Sequence, residues 1–175
     1  DEVRKVIKEL RDELRRVEEL NKEVIDRSRK LVEDIARESK EVIERSRKLL
    51  DDVRKDRDRE KLERVLDEIR RLHEDVLRKI REVVRTIEEL HRDAVRKSKE
   101  VLKRLEELIR DVLRRVPNVR EDLERALKEI EETIRRLEKR NRDVLKEIED
   151  EARRLEEENR KVLKEARKIV EDIKT

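Results

Sequence analysis

Residues 24–31 read Val24-Ile25-Asp26-Arg27-Ser28-Arg29-Lys30-Leu31, and eighteen positions later nearly the same octad returns as Val42-Ile43-Glu44-Arg45-Ser46-Arg47-Lys48-Leu49. The interval recurs elsewhere. Asn141-Arg142-Asp143-Val144-Leu145-Lys146-Glu147 returns as Asn159-Arg160-Lys161-Val162-Leu163-Lys164-Glu165, and His73 as His91, all at a spacing of 18. Eighteen residues make five helical turns at about 3.6 residues per turn, so repeated side chains come back to one azimuth. A strict seven-residue repeat would instead impose a left-handed supercoil. The spacing therefore predicts long, straight helices.

Outward from that stretch, at about 100° per residue, Val3, Ile7, Leu10, Leu14, Val17, Ile25, Val32, Ile35, Ile43, Leu50 and Val53 share one face. The other apolar residues widen that stripe to roughly 160°. Leu62 to Val116 and Val119 to Ile173 carry stripes of roughly 140° and 120° by the same rule. Such periodicity separates the chain from disordered sequences, which share its high charge and lack of aromatic residues. Three helices follow, at about 2–54, 59–115 and 119–174, each about 80 Å long at 1.5 Å per residue.

The breaks rest on different evidence. Between Val53 and Leu62 the stripe direction jumps by roughly 210°, and a turn must absorb the jump. Lys55 to Arg59 are all charged, with Asp56 or Asp58 suited to N-cap the second helix. At the second break Pro117 disfavours a helical Val116, and Asn118 with Glu121 has capping-box spacing. The stripe stays nearly in phase there, which leaves a kinked continuous helix as the alternative.

Composition limits function. The 175 residues are 59% charged and contain no Gly, Cys, Met or aromatic residue, with a single Pro. Lys+Arg number 53 against Asp+Glu 50, a near-balance that supplies no basic face for nucleic acid, and no aromatic platform exists for stacking bases. No disulfide or thiolate chemistry is possible without cysteine. No apolar run is long enough for a membrane span or signal peptide. The expectation is a soluble chain suited to cytoplasmic expression, with no cofactor.

Polar residues near the stripe centres are the remaining signal: Asn21, Ser28, Ser39 and Ser46, then His73, His91 and Ser98, then Asn141 and Asn159. With short turns near residues 57 and 117, facing residues of neighbouring antiparallel helices sum to about 114 and about 234. His91 then lies level with Asn21 and Asn141, and His73 level with Ser39 and Asn159, while Ser28 and Ser46 sit one turn to the other side of their histidines. This predicts an all-α, up-down-up three-helix bundle, a single domain over 1–175, with two copies of one buried polar layer: Asn21, Ser28, His91 and Asn141; and Ser39, Ser46, His73 and Asn159. The shared shift of 18 in all three helices argues against the kinked-helix alternative.

Such layers need no substrate. A slipped register strands buried amides and imidazoles, each at about 1–3 kcal/mol, so the layers specify which residues face each other. Asn141→Leu and Asn159→Leu are accordingly expected to leave stability similar or higher while weakening specificity. Metal binding is disfavoured, because His73 and His91 lie about 27 Å apart at 1.5 Å per residue with no further ligand at a matching inward position. Catalysis is disfavoured too, since the serines face the core without an oxyanion loop or cleft. Buried imidazoles resist protonation, which opens a pH-sensitive reading.

In these features the chain resembles de novo designed helical bundles with buried hydrogen-bond networks, including designed heterodimers and latch-and-cage switches. The resemblance rests on Ser39-Lys40-Glu41-Val42-Ile43-Glu44-Arg45-Ser46-Arg47-Lys48, the 18-residue modules, the polar layers and the Gly-free composition. It implies a structural scaffold or assembly module without catalytic activity. Three helices rather than a cage's six, or a hairpin heterodimer's two, set the chain apart from those designs. A self-contained scaffold that requires no partner is the first expectation. The second is an interaction module, either a three-helix receptor for a fourth helix or a subunit of a homo-oligomer.

Overall fold

The computed structural model describes residues 2–174. It is all-α: helix α1 spans Glu2–Asp56, α2 Arg59–Arg115 and α3 Arg120–Lys174, with a 3-10 turn at Pro117–Val119 between the last two. Among the described residues there is no strand.

The first connection is two residues long. Arg57 adopts a left-handed φ of 48° and its N–H reaches Val53 O at 3.0 Å, closing the end of α1. That backbone conformation ordinarily falls to glycine, and a side-chain-bearing residue is disfavoured in it. Of the two candidate caps the chain uses Asp58, whose Oδ1 accepts from Glu60 N–H at 3.2 Å while its carbonyl accepts from Leu62 N–H at 2.9 Å. Asp56 instead pairs with Lys61 at 2.6 Å.

At the second connection Val116 is extended, with φ −133° and ψ 77°, as the following Pro117 requires. The expected capping box does not form. Asn118 lies inside the 3-10 turn, and α3 starts at Arg120, whose N–H bonds to Pro117 O. The tight turn itself supplies the first backbone acceptor for α3.

The chain divides into two units, and each helix lends one stretch to each. One contains the chain up to Ser28 with Ile87–Lys146; the other contains Arg29–Thr86 with the chain from Glu147 onwards. In the first, Val6, Leu10 and Val17 of α1 meet Val101, Leu105, Ile109 and Val112 of α2 and Leu123, Ile130 and Ile134 of α3. A groove remains between α1 and α3, floored by Ile7, Leu10, Leu14, Ala126 and Ile130. Ala126 occupies the module position that holds Val144 and Val162 in the next two repeats.

In the second unit the core is built from triplets that take residues from all three helices: Leu50 with Ile69 and Ala166, and Val53 with Leu62 and Val170. Ile35 joins Val76, Ile80, Ala152 and Leu155 in the same way. Burying a Leu, Ile or Val side chain contributes about 1.5–3 kcal/mol, so these triplets carry the fold. No described large hydrophobic residue is exposed. Ion pairs between helices within one unit, such as Lys79 with Glu38 at 2.6 Å and Arg45 with Glu68 at 2.7 Å, are partly solvated and contribute little.

Candidate functional site

All nine polar residues of the stripe centres are buried, none more than 3% exposed. Burial without a partner is costly for each of them, so their hydrogen bonds decide what they do.

The layer around His73 is a continuous chain of bonds across three helices. Asn159 Nδ2 donates to Leu155 O at 2.7 Å and to Ser39 Oγ at 2.8 Å. A backbone carbonyl can only accept, so this contact orients the amide and leaves Oδ1 turned to the imidazole. His73 Nδ1 lies 2.7 Å from that Oδ1 and must therefore carry the proton. Nε2 of the neutral ring is then an acceptor, and Ser46 Oγ–H donates to it at 2.8 Å. One carbonyl on α3 thus fixes an amide orientation, an imidazole tautomer and a hydroxyl direction in turn.

The layer around His91 is wired differently. Here the anchored amide is on α1: Asn21 Nδ2 donates to Val17 O at 2.7 Å and to Ser98 Oγ at 3.2 Å. Ser98 Oγ–H in turn donates to Ala94 O at 2.7 Å. Asn141 Nδ2 donates to Asn21 Oδ1. His91 Nε2 meets Ser28 Oγ at 3.2 Å, while His91 Nδ1 and Asn141 Oδ1 are buried with no hydrogen-bond partner in the chain.

Burial pushes both histidines below their ordinary value near 6.5. For His73 the bond to Asn159 pulls part of the way back; for His91 desolvation acts without such a counterweight.

The register differs from the expected one by about a turn. Bonded residues of α1 and α2 sum to 119, in the pairs 21 with 98, 28 with 91 and 46 with 73, rather than 114. The turn is centred between Arg57 and Asp58, which by itself moves the sum up by one. Each histidine accordingly meets Ser28 or Ser46 rather than Asn21 or Ser39. The α2–α3 pair of His73 and Asn159 sums to 232, close to the expected 234. Helices α1 and α3 run parallel, with Asn21 bonded to Asn141 and Ser39 to Asn159, both 120 residues apart. Ser98, left out of the expected layers, belongs with Asn21; its place at a stripe centre was the available signal.

Among the described residues no group of three or more His, Cys, Asp or Glu side chains is placed to hold a metal ion, and no helix is long and apolar enough to cross a membrane. No protein-family model and no curated protein matches the chain. Among solved structures, one described as a computationally designed three helix bundle aligns over 99% of this chain and 84% of its own, at 19% identity and a TM-score of 0.33.

Proposed function

We propose that this chain is a designed structural scaffold without catalytic activity, whose buried polar layers specify which residues of the three helices face one another. The observation that carries the reading is the Ser46, His73, Asn159 and Ser39 chain, which links three helices through side chains of zero exposure. Its polar groups are spent on each other, and a displaced helix leaves them unpaired. The closed form is favoured over a receptor for a fourth helix because no described large apolar side chain is exposed. On this reading the chain is a single folding domain and needs no cofactor or partner.

The test replaces the whole His73 layer at once, with Ser39→Ala, Ser46→Ala, His73→Leu and Asn159→Leu. Removing every partner together leaves no orphan. Denaturant stability is expected to hold or rise, while the solution mass, a single monomeric species for the parent, spreads into several assemblies. A loss of several kcal/mol with the mass unchanged means that the layer chiefly stabilises. A parent that is itself oligomeric favours the assembly-module reading instead.

A further inference from the structure

The two layers come from the same modules, yet the bond between imidazole and asparagine is made in only one of them. Nδ1 of His73 meets Oδ1 of Asn159 at 2.7 Å, whereas the corresponding atoms, Nδ1 of His91 and Oδ1 of Asn141, are both buried and unpartnered. The cause lies in two replacements at the 18-residue interval. Asn21 stands where the other layer has Ser39, and Ser98 where it has Ile80. The longer Asn21 side chain presents an amide oxygen that takes Asn141 Nδ2, where in the other layer Asn159 Nδ2 takes the Ser39 hydroxyl and is anchored on the Leu155 carbonyl.

We propose that His91 Nδ1 and Asn141 Oδ1 form a binding site for one water molecule, which bridges them. The chemistry selects water on two grounds. Asn141 Oδ1 accepts only, while Nδ1 donates or accepts according to tautomer, and no backbone carbonyl holds the His91 tautomer as one does for His73. A bridging molecule must donate to the amide oxygen and either accept from Nδ1–H or donate to bare Nδ1. Water does both. The replacements also take up less volume. The pair Asn21 and Ser98 has as many side-chain heavy atoms as Ser39 and Ile80, but aliphatic carbons with their hydrogens fill more space than amide and hydroxyl groups. The share of volume one water takes in the liquid is about 30 Å³, and buried waters in folded proteins settle where otherwise unsatisfied polar groups converge. With both atoms closed off from the surface, larger ligands have no entry. The inference stands apart from the scaffold reading, since it depends only on the wiring of one layer.

A high-resolution crystal structure of the parent tests it directly: one ordered water within hydrogen-bond distance of both His91 Nδ1 and Asn141 Oδ1, and none at His73 Nδ1. Asn21→Ser with Ser98→Ile rewrites the layer in the image of its counterpart. It is expected to expel the water, close the direct His91–Asn141 bond and bring the His91 ring ¹⁵N shifts onto those of His73. The reciprocal Ser39→Asn with Ile80→Ser is expected to create a water site at His73. A parent structure without water at these two atoms overturns the proposal, as does a water that persists unchanged in the Asn21→Ser/Ser98→Ile variant.

Discussion

Leu155 and His73, on different helices and never in direct contact through a hydrogen bond, are coupled through one amide: the carbonyl of Leu155 orients Asn159, and Asn159 Oδ1 dictates which nitrogen of His73 carries the proton.

Asn159→Leu alone is expected to destabilise by about 1–3 kcal/mol, because it strands a buried imidazole N–H and the Ser39 hydroxyl. This revises the expectation drawn from sequence, which treated the asparagine as replaceable by itself. Urea denaturation of the single variant beside the whole-layer variant checks it, and equal stability of the single variant and the parent would refute it.

Lowered histidine pKa values fix the sign of a pH effect. Above about 6.5 both folded and unfolded histidines are neutral and nothing is lost. Below that value the unfolded chain takes up protons first, so stability falls until the folded-state pKa is reached, where the loss saturates. Denaturant midpoints are therefore expected to be lower at pH 5 than at pH 7.5, without dissociation, and His73→Asn/His91→Asn is expected to narrow the difference. An identical difference in that variant clears the histidines.

Arg57→Gly is expected to stabilise the protein by up to about 1 kcal/mol, since glycine adopts the left-handed region without the penalty a Cβ brings. Arg57→Ala keeps the Cβ and is expected to change little. Thermal unfolding of the two variants separates backbone strain from any effect of the lost charge.

Ala126→Val is expected to fill the groove between α1 and α3. Two added carbons at about 0.8 kcal/mol each, less about 0.6 for the poorer helix former, leave a gain of up to about 1 kcal/mol. A drop in the denaturant midpoint would show that the groove walls cannot receive the larger side chain.

Much of this was legible in the residues themselves, and for definite reasons. The azimuth of an apolar stripe depends only on helical pitch, so Leu62, Ile69 and Val76 announce their helix and their buried face together. Pro117 marks a boundary because it acts on Val116 locally. What sequence reading missed depends on three-dimensional detail. A charged Arg57 gives no hint of a left-handed φ. Asn118 has the spacing of a cap, but it lies inside a 3-10 turn and α3 starts beyond it. Register was readable only to within a turn, because stripe residues recur every three or four positions and several partners satisfy the same azimuth. Hence the expected levels put His91 beside Asn21, whereas it meets Ser28, and the two layers look like copies in sequence although Asn21 and Ser98 make them unlike.

That unlikeness can be put as a matter of measurement. A ruler bearing two identical marks reads the same in two places, and modules repeating every 18 residues would leave the chain such a ruler. Slide α1 by five turns so that Ser28 lies against His73, and the serine and histidine match again. The same slide sets the Asn21 amide against Ile80 instead of Ser98, and the bond to the Ser98 hydroxyl has no counterpart there. The two-residue connection at Arg57 and Asp58 bars this displacement within one chain, so the mismatch would count only between helices of separate copies. Asn21 and Ser98 thus number the marks, and the two readings of the scale are no longer alike.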